Sequence, residues 1–401
     1  MQKTTKAKLV ALKSLNAQKI FSYWALLGAF FLLCGLAVFS SGSIYHKFFY
    51  VFVIPPAIFF ISKNISRILK NPIISIYLLF ILSVSFSTLI NNPEELSASI
   101  KRSIYILSAL VSACLLMSTS KEYLKNISIA AAISTLIINI YLFIPFLNEA
   151  ISTKNTGLRF IGGLSLDNPL LSSHVFGFFT VLVSICAINS KSKKQAIYLS
   201  ITALFFLILT LATGSRTPLL ALTCTAIWMV LISKGKTLKI LSIALIISMI
   251  VICLIFPDII LSRGLSYRPE LWSLAIKQIM QAPLLGYGFD AHPSLYIESL
   301  NMHFREPHNI HISVAYYSGL IGASLWMAMH IIVLIYCIKN RDNIYFIAAS
   351  CLLIYGISAG MTEGGSLLPR PKEHWFITWI PLALATGLIY QKMNNKALTI
   401  K

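Results

Sequence analysis

The sequence predicts an all-α polytopic membrane protein forming a single integral membrane domain over residues 1–401, and three observations carry that prediction. Of its 401 residues 57% are hydrophobic and 11% charged, with a mean hydropathy of +0.78. That leaves too little polar surface to cover a soluble globule. The apolar residues fall in about twelve runs long enough for spanning helices, which need roughly 20 residues to cross a hydrocarbon core about 30 Å thick. The bases, finally, collect in alternate turns between those runs.

The runs lie at 20–41, 48–62, 72–90, 103–119, 127–147, 170–189, 195–213, 217–233, 238–256, 309–338, 343–360 and 375–391, the second and eighth being short. None alternates with the period of a β-barrel. With the N-terminus cytoplasmic, 21 of the 33 Lys and Arg residues fall on that side beside two acids, Glu122 and Asp342. The opposite side then holds 12 bases and 11 acids. This is the positive-inside pattern, and it predicts an even number of spans with both termini inside. The net charge of +20 therefore reads as topology and implies no nucleic-acid partner. The first run lacks a small-residue cleavage site and reads as a retained span. All seven cysteines fall inside runs, so neither a disulfide frame nor a zinc site is expected.

The longest stretch outside the membrane, 257–308, lies between spans 9 and 10 on the outer side, with lesser loops at 91–102, 148–169 and 361–374. Seven of the eight histidines lie in or beside outer segments. The working face thus points outward. No phosphate-binding loop, HExxH, GxSxG or Asp-x-Asp pair occurs, so no cofactor and no metal are expected. An outward site without an energy source needs a substrate already activated, and a lipid-linked diphosphate would serve.

Three outer basic elements are candidates to hold it. In TGSRTP, Arg216 stands between two spans with almost no loop, either snorkelling to headgroups or held by its tight turn for an anion. In SRGLSYRPELW, Pro269 suits the first turn of a helix, and Arg268 stands where backbone N–H groups would help it bind an anion, unless it pairs with Glu270 or Asp290. The following Leu271, Trp272, Leu274, Ala275 and Ile279 predict an amphipathic helix in the membrane interface. The third element, LRFIGGLSLDNPLLSSH, offers Arg159, Asp167, Asn168 and His174 at a span entrance, where a hydrogen-bonded turn is the simpler role.

Near the C-terminal third, EPHNIHISVAYYSGLIGAS opens a helix. On a continuous helix His308, His311, Ala315, Gly319 and Gly322 share an arc of roughly 80°. Such a small-residue stripe would let another transmembrane helix approach closely, fixing both histidines at its outer end.

His308-Asn309, nine residues and Gly319-x-x-Gly322 match the HNx₉GxxG pattern of O-antigen ligases of the WaaL type, and RPELW…PLLGYGFD resembles the signature of the wider O-antigen ligase and polymerase family. The resemblance implies a GT-C-type glycosyltransferase fold and metal-independent transfer of glycan from undecaprenyl diphosphate to a sugar of the lipid A core, at the periplasmic face of a bacterial inner membrane. It also implies two essential periplasmic arginines and a histidine, matching Arg216, Arg268 and His308, with Arg263 competing for the second place. The family's arginine before the sixth span is matched loosely by Arg159 and receives no catalytic role. In the expected mechanism the arginines hold the diphosphate, His308 is the base and Asn309 orients the ring or a sugar hydroxyl. His311 is the structural control, and Glu306 or Glu363 the reserve base. A polymerase of the same family or a glycolipid transporter are the alternatives.

Overall fold

A computed structural model describes residues 2–119, 121–155, 157–255 and 266–399. Each of the twelve apolar runs coincides with helix: α1 (Gln2–Val38), α2 (Gly42–Phe52) with α3 (Ile54–Ile68), α4 (Pro72–Asn91), α5 (Leu96–Thr119), α6 (Lys121–Thr153), α7 (Pro169–Ile188), α8 (Lys193–Ala212), α9 (Thr217–Ile232), α10 (Lys236–Ile255), α12 (Ile310–Lys339), α13 (Ile344–Gly360) and α14 (Trp379–Thr399). The remaining helix, α11 (Arg268–Ile279), lies in the long segment between α10 and α12. Among the described residues eight helical stretches are long and apolar enough to cross a membrane, and α9 and α13 are shorter apolar helices. The chain is an all-α polytopic membrane protein.

Local chemistry sets the helix starts. Asn71 and Asn168 each cap a helix whose first residue is proline, their side-chain oxygens accepting from Ile73 N and from Leu170 N and Leu171 N. A capping oxygen there satisfies N–H groups that the helix itself leaves unbonded. The short run at 48–62 lengthens because Pro55 and Pro56 fit the first turn of α3, so α2 and α3 follow each other in one apolar stretch, Gly42–Ile68.

Helices α5 and α7 form the buried centre, with α14 packed on α5 and α8 on α7. Around them α1 packs on α6, α4 on α12, and α9 on α13. The six cysteines whose side chains are described are free.

The described part of the segment between α10 and α12 holds a hairpin as well. Two short antiparallel strands, β1 (Leu295–Ile297) and β2 (Met302–Phe304), pair Leu295 with Phe304 and Ile297 with Met302. Asn301 takes the left-handed turn position between them, with φ of 50°, a conformation asparagine tolerates. The face of α11 expected to meet lipid meets protein instead: Leu271 and Ala275 are buried with Leu295 and Ile297, and Leu274, Phe304 and Ile312 pack around them. A hairpin in the same loop covered that face first.

The stripe through Gly319 is also corrected. Gly319 breaks α12 with φ of 63° and ψ of −172°, and the approaching element is not a helix but the backbone of 283–288. Leu320 N donates to Pro283 O (2.7 Å), Tyr287 N to Tyr316 O and Gly288 N to Tyr317 O (both 2.9 Å). A Cβ on Gly319 would stand 2.2 Å from Leu284 O, and one on Gly286, whose φ is 68°, 2.4 Å from Tyr316 O. The PLLGYG and GxxG motifs are therefore two halves of one joint. Gly322 keeps part of its expected role, facing Ser83 of α4.

Candidate functional site

Arg216 lies at the N-terminus of α9, a 16-residue helix. At 1.5 Å per residue it is about 24 Å long, shorter than the hydrocarbon layer. A cation at its end needs fixed polar surroundings, and the turn before it is pinned. Arg159 donates from Nε to Thr213 O (2.7 Å) and from Nη2 to Ser215 Oγ (2.9 Å). Gly214 holds φ of 60°, with the Arg159 side chain 3.5 Å from where a Cβ would stand. Arg159 thus builds the turn that carries Arg216. His174, in the second turn of α7, is fully buried, and neither ring nitrogen has a hydrogen-bond partner.

One residue beyond Arg216, Thr217 Oγ1 accepts from Thr362 Oγ1 at 3.0 Å. Thr362 O accepts from Arg268 Nε at 2.9 Å. The two arginines, distant in sequence, are therefore joined through a single threonine of the segment after α13. Arg263 lies outside the described residues.

The next residue completes the site. Glu363, 6% exposed, stands 3.9 Å from Arg268 Nη2 through one oxygen and 3.9 Å from His308 Nδ1 through the other. Both distances exceed a direct hydrogen bond: Arg268 and Glu363 form an ion pair, His308 joins it as one only when protonated, and His308 Nδ1 and Glu363 Oε2 are buried without a hydrogen-bond partner. Burial works to raise the Glu363 carboxyl, but His308 facing it holds it down at about 2. Reciprocally the carboxylate raises the His308 imidazole above its ordinary value, outweighing burial and Arg268. Behind Glu363, His374 is neutral, its imidazole pushed down to about 3 by burial and Lys372.

His308 is not on the helix. Its φ is 49°, a left-handed conformation that a non-glycine residue adopts only when its surroundings impose it. Two neighbours impose it here. Trp272, one turn along α11 from Arg268, donates from Nε1 to Pro307 O at 3.1 Å, while Asn309 Oδ1 caps α12 by accepting from His311 N (3.0 Å) and Ile312 N (3.1 Å). The Asn309 oxygen expected to orient the ring or a sugar is thus spent on the helix start. His311 behaves as the structural control: Trp326 Nε1 donates to its Nδ1 at 3.1 Å, so its Nε2 donates to Ile357 O, also 3.1 Å.

Glu363 is the site residue that sequence reading kept only in reserve. Its signal was an acid next to a glycine pair, and Gly365 is needed, since a Cβ there would meet the Glu306 carboxylate. Among the described residues no group of three or more His, Cys, Asp or Glu side chains is arranged to hold a metal ion.

Chemically the site offers two guanidinium groups for an anion and one imidazole backed by a carboxylate. A family model described as O-antigen ligase matches residues 201–327, a range that encloses Arg216, Arg268, His308 and both glycines of GxxG. An O-antigen ligase of Pseudomonas aeruginosa is 35% identical over 387 residues, covering 94% of each chain.

Proposed function

The chain belongs to the O-antigen ligase family, and from that premise we propose that it transfers O-antigen polysaccharide from undecaprenyl diphosphate to a sugar of the lipid A core. The reaction takes place at the periplasmic face of a bacterial inner membrane, with both termini in the cytoplasm. The observation that carries the reading is the convergence of Arg216, Arg268, His308 and Glu363 through Thr217 and Thr362.

Breaking the bond between the anomeric carbon and the diphosphate oxygen leaves negative charge on that oxygen. Guanidinium groups held in place stabilise this charge most where it develops, in the transition state. Arg216 and Arg268 take that part. The acceptor hydroxyl attacks the anomeric carbon and gives its proton to His308, whose imidazole Glu363 makes more basic. One displacement inverts the anomeric centre. Neither a metal ion nor a covalent intermediate is needed for this balance.

The test is transfer in vitro by the purified protein, from undecaprenyl-diphosphate-linked O-antigen to lipid A core, without ATP. Core carrying O-antigen is the expected product. Glycan added to a second undecaprenyl-linked chain instead would make the protein a polymerase, and no transfer at all would remove the transferase reading.

A further inference from the structure

Along the segment that carries Thr362 and Glu363, a separate cavity of about 440 Å³ opens between the end of α1, the starts of α2 and α5, and residues 366–373. That volume lies within the range of small-molecule sites, roughly 300–1,000 Å³. Its lining includes three cations, Arg102, Arg370 and Lys372, and two carboxylates, Asp167 and Glu373. Arg102 is fixed: it lies 4.9 Å over the Phe289 ring, and its Nη1 is 3.5 Å from Leu368 O. The wall opposite is held by His46 Nε2, which donates to Pro371 O at 3.0 Å.

The side chains of Arg370 and Lys372, by contrast, make no hydrogen bond or ion pair among the described residues, and Arg370 is exposed. Glu373 is 6% exposed on the cavity wall. Burial, with Asp167 beside it, raises its carboxyl, and the three cations of the lining outnumber its two carboxylates.

We propose that this cavity is the acceptor subsite, in which Arg102, Arg370 and Lys372 hold an anionic group, phosphate or carboxylate, on a sugar of the acceptor glycan while Asp167 and Glu373 take its hydroxyls. This rests on the transferase reading above. The mixed lining favours such a ligand over the donor diphosphate, because paired carboxylates repel a bare diphosphate but accept hydrogen bonds from sugar hydroxyls. The cavity and the candidate site share one segment: Thr362 bonds the arginine side, and residues 366–373 wall the cavity.

The test measures binding and turnover separately, using the purified full chain, its Arg370→Ala, Lys372→Ala double variant, lipid A core, and the same core after phosphatase treatment or carboxyl reduction. Losing two charge-assisted contacts weakens binding by about tenfold or more. We expect the double variant to lose at least that factor in acceptor Kd without donor present, and the same in acceptor KM. The donor Kd, and kcat at saturating acceptor, should stay within about twofold of the parent. Whichever acceptor treatment removes the recognised anion should weaken binding to the parent equally and to the variant no further. An unchanged acceptor Kd, a weakened donor Kd, or equal losses on treated and untreated acceptor would each overturn the assignment. If the parent binds acceptor through these residues yet transfers nothing, the transferase reading fails on its own evidence.

Discussion

The two ends of the motif that runs from His308 to Gly322 behave in opposite ways. At Gly319 the backbone groups freed by the helix break are bonded again, Leu320 N and Ile321 N to the carbonyls of Pro283 and Leu284, and Tyr316 O and Tyr317 O to the amides of Tyr287 and Gly288. At His308 the imidazole Nδ1 is buried without a hydrogen bond, and so is Glu363 Oε2, the carboxylate oxygen on the Arg268 side. A buried unbonded polar group costs about 1–3 kcal/mol, and the left-handed backbone of His308 adds a similar strain. One end of the motif minimises unsatisfied groups and the other retains them. In the proposed mechanism the first is architecture and the second chemistry, and His311, with both ring nitrogens bonded, goes with the architecture.

Substitutions can break this comparison or sharpen it. The largest effect is expected for His308→Ala, because removing a general base lowers turnover by about 10²–10⁴. Donor binding, measured by titration with undecaprenyl-diphosphate-linked glycan, should remain, since the arginines hold that ligand. Next come Arg216→Lys and Arg268→Lys, each expected to lower transfer on the order of 10²–10³ at normal membrane abundance, because a lysine point charge cannot grip two diphosphate oxygens. Full activity in both would return these arginines to the role of topological anchors.

Gly319→Ala should act on the fold instead. Its φ and ψ lie in a region essentially reserved for glycine, at a cost of about 1–3 kcal/mol for any other residue, and the added Cβ would meet Leu284 O. A lower melting temperature in detergent, with the turnover of the folded fraction little changed, is the expected outcome. Lost turnover at an unchanged melting temperature would move Gly319 to the chemical end. The smallest effect on turnover is expected for His311→Ala, within about tenfold, acting through lost packing against Trp326.

How far these roles were legible in the sequence follows the same division. The apolar helices were readable because membrane thickness sets the length of an apolar run, and the second run, read as short, is part of the longer stretch Gly42–Ile68. Arg216, Arg268 and His308 could be singled out from flanking residues that act locally. Glu363 could not be joined to His308, because that contact links residues far apart in sequence and leaves no local pattern. Asn309 carried a second signal, since an asparagine before an apolar helix is also a capping residue. A helical wheel assumes unbroken helix, so the stripe through Gly319 dissolved once that residue took a positive φ. The three-residue strands of the hairpin were too short to show alternation.

The pairing of His308 with Glu363 is the centre of the proposed mechanism, and the pH dependence of the single-turnover transfer rate tests it most directly. The measurement compares the parent with Glu363→Gln, with donor and acceptor both saturating. His308 accepts a proton only when neutral, and Glu363 raises its pKa, so the parent should lose activity on acidification through a pKa above the ordinary imidazole value of about 6.5. In the variant that charge is gone while burial and Arg268 still lower the pKa, so the acid limb should move to lower pH. A limb at the same pH in both proteins, or a rate that does not fall in acid, would contradict the assignment of His308 as the base.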